Sequence, residues 1–184
     1  GEVVFLELVG QFIKNNFSVE TMKNKNEPIK GCASISKDQK KLLVGKYLNR
    51  IGMEGSIKAD GRDVIPSPYL SGLLDKFLNG TFIPAFETAR GCPYLCTFCD
   101  QGLDASKITT FSTQRLAEEM MYVGKKMSKI KNGTKVTSIF DSNWGLFQKD
   151  VDLADHIFKV MEKYDWPQHI GCLTPKSNWN NLIK

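Results

Sequence analysis

Three cysteines, Cys92, Cys96 and Cys99, stand within eight residues in the spacing CxxxCxxC. Cysteine thiolates bind soft metal centres, above all zinc and iron–sulfur clusters. Structural zinc sites and ordinary iron–sulfur clusters take four protein ligands, so this set is one short. A [4Fe–4S] cluster on three cysteines leaves one iron open to a ligand from outside the protein. The spacing therefore indicates either a catalytic iron–sulfur cluster with an open iron or a metal site whose fourth protein ligand lies elsewhere in the chain.

Two non-catalytic functions stay open as alternatives. One is a non-catalytic iron–sulfur electron-transfer module, and the other is a structural metal-binding module with zinc. Zinc would need a fourth ligand, and the only histidines, His156 and His169, are distant from the cysteines in sequence. The remaining cysteines, Cys32 and Cys172, lie in predicted strands, where buried free cysteines behave as small hydrophobic residues.

The composition is that of an ordinary globular protein. The chain has 184 residues and a net charge of +5, with 41% hydrophobic and 24% charged residues. Five cysteines, an odd number, do not suit the disulfide framework of a secreted domain, and neither a signal peptide nor an apolar run of about 18 residues is present. The densest lysine group, residues 125–135, has no interleaved aromatic residues to stack on bases. We therefore expect a cytoplasmic protein with no membrane or nucleic-acid partner.

The elements that position the cysteines alternate between strands and helices from residue 82 onward. Strands are predicted over 82–88, 135–141 and 169–173, and helices over 113–129, behind Ser112 as the N-cap, and over 150–164, with Ile157 and Phe158 facing inward. This alternation predicts βαβ units and a parallel sheet. The cysteines directly follow the first strand. Loops at the carboxyl ends of parallel strands build active sites in such folds.

The first 80 residues carry weaker patterns. They predict an amphipathic helix over 2–15, short strands over 29–35 and 42–47, a linker over 51–68 and a short helix over 72–78. The chain opens on glycine rather than methionine and stops soon after its third predicted strand. We therefore expect it to be a piece of a longer protein.

The cysteine run resembles the cluster motif of the radical SAM superfamily, including the aromatic residue, Phe98, before the last cysteine. Residues 65–70, 87–93 and 140–145 are similar to stretches of the subgroup with an N-terminal cobalamin-binding domain. The resemblance implies an α/β fold: a partial (β/α) barrel of radical SAM type with its first two to three βα units, preceded by the C-terminal edge of a Rossmann-like cobalamin-binding domain. Residues 1–50 would be that edge, 51–80 a linker with a short helix, and 81–184 the N-terminal part of the radical SAM core.

The resemblance also implies a mechanism. Cys92, Cys96 and Cys99 would bind three irons of a [4Fe–4S] cluster, and S-adenosylmethionine would chelate the fourth. One electron, from a donor such as flavodoxin or ferredoxin, would cleave S-adenosylmethionine to methionine and a 5′-deoxyadenosyl radical. The subgroup implies cobalamin as a further cofactor and methyl transfer to a carbon, with radical rearrangement as the alternative. Since 92 residues follow Cys92, too few for a six-unit barrel at about 30 residues per unit, we expect the fragment to be inactive alone.

Three further residues are candidates for binding S-adenosylmethionine. In the family, the aromatic at the position of Phe98 lies near the adenine; the alternative is that it covers the cluster loop from solvent. Asp141 and Asn143 occupy the segment where many members contact the methionine amino group through a glycine-and-glutamate motif. The Asp141 carboxylate can accept from an ammonium group, or it can cap the following turn. No catalytic residue for the later steps is assigned.

Overall fold

The computed structural model describes residues 2–46, 65–99, 108–177 and 179–183. The chain divides into two compact units, Gly1–Ile51 and Gly52–Lys184, each described by itself. The fold is mixed α/β, with sheets of two or three strands over the described residues. Within these ranges no helix is both long and apolar enough to cross a membrane. The predicted linker falls largely on residues 51–64, which lie outside the described residues.

The first unit contains two helices and a small hairpin. Its elements are α1 (Glu2–Lys14), α2 (Val19–Asn24), β1 (Ala33–Ile35) and β2 (Leu42–Val44), and the two strands pair antiparallel. The helix predicted over 2–15 is confirmed. The short helix α2 was not predicted, since six residues are too few to show a helical period; Ser18 caps it by accepting from the Thr21 N–H at 3.1 Å. Tyr47, in the predicted second strand, lies outside the described residues.

The apolar face of α1 is not part of a core in the described residues. None of its residues is buried, and Leu6 is 72% exposed. The apolar side chains of this unit line an open cavity of about 590 Å³, which includes Leu8, Phe12, Met22 and Leu43. The amphipathic pattern therefore predicts the helix correctly, while its apolar face stays open within this unit.

The second unit is built on three parallel strands. Its elements are β3 (Ala85–Phe86), β4 (Ala89–Arg90), β5 (Thr109–Thr110), α3 (Thr113–Met127), β6 (Val136–Ile139), α4 (Gln148–Tyr164), β7 (His169–Cys172) and α5 (Trp179–Ile183). The order β3–β6–β7 is parallel throughout, with α3 and α4 in the two crossovers. The predicted βαβ alternation is thus confirmed. A parallel sheet brings the carboxyl ends of its strands to one edge, where the site lies.

The core of the second unit lies between α3, α4 and the sheet. Ser112 caps α3 as predicted, accepting from the Arg115 N–H at 3.3 Å. Buried apolar residues of both helices meet here: Leu116, Met120, Val123, Leu153, Ile157 and Val160. Phe158 was predicted to face inward and is 59% exposed, because Ile157 and Val160 already fill the inner face of α4.

The helix predicted over 72–78 is wrong in type. Only a 3₁₀ turn, Asp75–Phe77, forms, with i to i+3 bonds such as Leu78 N–H to the Asp75 carbonyl at 3.1 Å. The Asp75 carboxylate accepts from the Tyr122 hydroxyl at 2.8 Å and the Lys126 ammonium at 2.5 Å. These bonds hold the segment against α3, and a stretch this short has too few backbone bonds to keep an α-helix by itself.

Candidate functional site

A two-stranded ladder frames the loop that carries the cysteines. β4 and β5 pair antiparallel, Ala89 opposite Thr110 and Arg90 opposite Thr109. Directly after β4, Gly91 has φ +104°, a left-handed conformation that glycine adopts at no steric cost. It turns the chain into residues 92–99, called the cysteine loop below. Of the strand predicted over 82–88, only β3 (Ala85–Phe86) forms. The second short strand, β4 (Ala89–Arg90), follows the predicted range and closes the base of this loop.

Three strand-end segments meet at one edge of the sheet. They are the cysteine loop, residues 140–147 after β6, and residues 173–177 after β7. The Trp144 N–H donates to the Leu173 carbonyl at 2.8 Å and so joins the second segment to the third. Side chains from both segments reach the cysteines. The location predicted from sequence, at the carboxyl ends of parallel strands, is the one that the structure has.

All three cysteine thiols are half-buried, and two of them accept a side-chain hydrogen bond. Asn143 Nδ2 donates to Cys92 Sγ at 3.3 Å, and Lys176 Nζ donates to Cys96 Sγ at 3.0 Å. The hydrogen bond to Cys96 raises the pKa of Lys176, and desolvation opposes this shift. The Cys99 N–H donates to the Cys96 carbonyl at 3.0 Å and closes a turn between the last two cysteines.

The cysteines are not gathered around a single point. Over residues 2–46, 65–99, 108–177 and 179–183, no three His, Cys, Asp or Glu side chains are grouped to hold one metal ion. A single ion meets every ligand at one short distance, about 2.3 Å for zinc and sulfur. A four-iron cluster instead binds at most one thiolate per iron, so its cysteines stand further apart. The donor set of three half-buried thiols, two with N–H donors directed at sulfur, fits such a cluster chemically.

Asp141, just after β6, is hydrogen-bonded to Thr88, which lies between β3 and β4. It is 3% exposed, and its carboxylate accepts from the Thr88 N–H at 2.7 Å and from the Thr88 hydroxyl. Burial raises the pKa of Asp141, while the bonds from Thr88 and the positive charge of Lys149 oppose that shift. Both oxygens of the Asp141 side chain therefore bond to Thr88. The alternative prediction, that Asp141 caps the turn after β6, is wrong.

That turn is held by Asp150 instead. Its Oδ2 accepts from the Gly145 N–H at 3.1 Å and the Phe147 N–H at 3.0 Å. The second bond satisfies a free N–H at the start of α4, since Asp150 is its third residue. The segment that carries Asn143 is therefore fixed at both ends by buried carboxylates, Asp141 and Asp150.

Phe98 and residues after β7 form the exposed side of the site. Phe98 is 84% exposed, and Lys176 Nζ lies 4.9 Å from its ring centroid. The hydroxyls of Tyr94 and Ser177 are 2.5 Å apart and hydrogen-bonded. Sequence reasoning missed Lys176, Tyr94 and Ser177. The available signal was the position of Lys176, four residues past the last strand of the parallel sheet.

The inner side of the site has little free volume. A cavity of about 10 Å³, room for about one water, lies between the cysteine loop and residues 141–150. The indole Nε1 of Trp144 is buried and has no hydrogen-bond partner among the described residues. How Phe98, Asp141 and Asn143 would contact S-adenosylmethionine stays a prediction.

Two curated proteins match part of the chain. The cobalamin-dependent radical SAM methyltransferase TokK of Streptomyces tokunonensis is 29% identical over 112 residues, 57% of this chain and 16% of that protein. The 2-(S-pantetheinyl)-carbapenam-3-carboxylate methyltransferase of Streptantibioticus cattleyicolor is 32% identical over 96 residues, 48% of this chain and 13% of that protein. The chain thus spans about a sixth or less of the length of these relatives. No family model matches it.

One solved structure is similar over most of the chain. It is the cobalamin-dependent S-adenosylmethionine radical enzyme OxsB with aqua-cobalamin and S-adenosylmethionine bound. The match covers 89% of this chain and 20% of that one, at 16% identity and a TM-score of 0.48.

Proposed function

Because this chain is a relative of the cobalamin-dependent radical SAM methyltransferases, we propose that Cys92, Cys96 and Cys99 hold a [4Fe–4S] cluster in a radical SAM enzyme. When bound, such a cluster supplies the electron that cleaves S-adenosylmethionine to methionine and a 5′-deoxyadenosyl radical. The observation that carries the proposal is the pair of N–H donors on the thiols, from Asn143 to Cys92 and from Lys176 to Cys96.

The protein's own residues have definite tasks in this proposal. N–H donors on cysteine sulfurs orient the ligands and stabilise the negative charge that a cluster with thiolate ligands carries. Asp141 and Asp150 fix the segment of Asn143 and so keep its amide directed at Cys92. The exposed ring of Phe98 offers a flat apolar surface for an adenine on the open side of the site. Asp141 or Asn143 would accept from the methionine amino group, as the family resemblance implies.

For the rest of the protein, the proposal rests only on the similarity of this chain to its relatives. The three parallel strands would be the first strands of a partial (β/α) barrel, and the first unit would be the C-terminal edge of a cobalamin-binding domain. Methyl transfer with cobalamin, and an electron donor of the flavodoxin or ferredoxin class, are proposals for the whole protein, since the relatives are more than six times the aligned length.

Cysteine variants test the ligand set, and the chain supplies matched controls. Each of Cys92→Ala, Cys96→Ala and Cys99→Ala should fail to retain iron and sulfide after anaerobic reconstitution. Wild type, Cys32→Ala and Cys172→Ala should retain about four irons per chain, because these two thiols lie outside the cysteine loop. Full iron content in any of the three loop variants would contradict the proposed ligand set.

Electron paramagnetic resonance separates the enzyme from the alternatives. If one iron is open, adding S-adenosylmethionine to the reduced protein should change the cluster signal. An unchanged signal would indicate an electron-transfer module with a fourth ligand of its own. One zinc and no iron on elemental analysis would indicate a structural metal site, and would overturn the proposal.

A further inference from the structure

Lys176 is a cation that lies against the cysteine loop from outside it. Its Nζ is 3.0 Å from Cys96 Sγ and 4.9 Å from the centroid of the Phe98 ring. The neighbouring residue, Ser177, is hydrogen-bonded to Tyr94 within the cysteine loop. Two side chains of the segment after β7 therefore dock on the cysteine loop at separate points. Such double attachment favours one position of the ammonium group, whereas a lone surface lysine samples many.

A positive charge fixed at this place affects the reduction of a cluster bound there. Reduction adds one electron from an external donor of the flavodoxin or ferredoxin class to the cluster, whose total charge becomes one unit more negative, while the donor is oxidised by one electron. No bond forms or breaks in this step. A nearby positive charge stabilises the more negative state more than the less negative one. Net charge and hydrogen bonds to sulfur are among the factors that set iron–sulfur potentials.

We infer that Lys176 is a positioning residue that raises the reduction potential of the cluster by holding its positive charge on the Cys96 sulfur. The inference rests on the proposed function, because it requires the cluster on Cys92, Cys96 and Cys99. It goes beyond that proposal in assigning electrochemical control to a residue of the third strand-end segment. Asn143, on Cys92, is a neutral donor and cannot supply a charge.

The test is a redox titration of the reconstituted full chain with dithionite and mediators, without S-adenosylmethionine. Lys176→Arg keeps the charge, Lys176→Gln keeps an N–H donor without the charge, and Lys176→Met removes both. Lys159→Met is the matched control. It removes the same charge from an exposed position eleven residues into α4, about 16 Å along the helix from its first residue.

The potential should fall in Lys176→Gln and Lys176→Met and stay at the wild-type value in Lys176→Arg and Lys159→Met. We expect a decrease of about tenfold in the equilibrium constant for reduction, which is about 59 mV for one electron. If Lys176→Met binds no iron, the comparison of Lys176→Gln with Lys176→Arg still tests the effect of the charge on the potential, since both variants retain an N–H donor to sulfur.

The failures of the two proposals are distinguishable. Wild-type potentials in both Lys176→Gln and Lys176→Met, on protein with full iron content, would overturn the role of Lys176 and leave the cluster standing. An equal fall in Lys176→Arg would show that packing, and not charge, is responsible, and would overturn it too. Wild-type protein that assembles no cluster would overturn the proposed function, and this inference with it.

Discussion

Asn143 donates its side-chain N–H to the sulfur of Cys92 at 3.3 Å, across 51 positions of sequence. Asn143 lies in the segment after β6, and Cys92 opens the cysteine loop after β4. Because both residues are half-buried, the bond competes with water less than an exposed one would. The parallel sheet holds β6 beside β3, and β4 follows β3 after two residues, so the segment after β6 reaches the start of the cysteine loop.

Replacing this amide should weaken cluster retention in a graded way. Asn143→Leu removes the donor at similar size, and Asn143→Asp puts a negative charge beside a thiolate at nearly identical shape. Loss of an outer-shell hydrogen bond typically costs 10–100-fold in metal affinity. We expect iron loss to a chelator to be about tenfold faster in Asn143→Leu than in wild type, and faster again in Asn143→Asp.

Asn180→Leu is the control for this series, because Asn180 is an exposed asparagine of α5. It should lose iron at the wild-type rate. The order of the two Asn143 variants is the informative result, since a purely structural role would make the isosteric aspartate the milder change. Wild-type retention in Asn143→Asp would refute a contact between this side chain and a bound thiolate.

The parts of the fold set by local patterns could be predicted from sequence. The apolar period of α3 and α4, the N-cap Ser112 and the β-branched run of β6 each identify their element with neighbours only a few residues away. Alternation of these elements then gives the parallel sheet. The cysteine loop follows from its position directly after the first strand, so its place at the sheet edge was also predictable.

Features set by distant residues could not be predicted. The bonds between Asp141 and Thr88, and between Lys176 and Cys96, depend on the register of separate strands, which no local pattern encodes. Phe158 has the spacing of an inward residue, yet Ile157 next to it takes the core position. The 3₁₀ turn at Asp75 depends on hydrogen bonds from Tyr122 and Lys126 of α3, which lie 47 and 51 residues away in sequence.

The close packing of α3 on α4 depends on a glycine. A Cβ at Gly124 would lie 2.5 Å from Val160 Cγ1, and Val160 is buried. Overpacking of this kind costs about 1–3 kcal/mol, more than the gain of up to about 1 kcal/mol in helix propensity. Gly124→Ala should therefore lower the free energy of unfolding, measured by chemical denaturation.

A double substitution isolates the steric cause. Val160→Ala alone leaves a cavity and is destabilising, but with Gly124→Ala the new methyl occupies part of that space. The two effects should therefore be less than additive, with a coupling of about 0.5–3 kcal/mol. Gly10→Ala in α1, whose Cβ would meet nothing within 4 Å, should be neutral or slightly stabilising. Strict additivity of Gly124→Ala and Val160→Ala would count against direct contact.

The buried carboxylate of Asp141 makes a definite prediction for the pH dependence of stability. Its pKa is raised by burial, although the two bonds from Thr88 and the charge of Lys149 oppose the shift. For an acid whose folded-state pKa lies above its unfolded value, the folded state binds more protons between the two values. Its contribution to stability therefore grows as the pH falls through the folded pKa, and is constant below the unfolded pKa, near 3.8.

Asp141→Asn removes this titration with little change of shape, because the amide can accept from the Thr88 N–H and donate to its hydroxyl oxygen. On lowering the pH from 7 toward the ordinary aspartate range, wild type should gain stability relative to Asp141→Asn, as measured by chemical denaturation at each pH. Asp75→Asn is the control of opposite sign. Bonds from Lys126 and Tyr122 lower the pKa of Asp75, so wild type should lose stability relative to that variant as the pH falls from the unfolded value, near 3.8, through the lower folded pKa. Parallel pH profiles for wild type and Asp141→Asn would mean that the carboxylate is hydrated in solution, and its bonds to Thr88 would then not hold the segment of Asn143 in place.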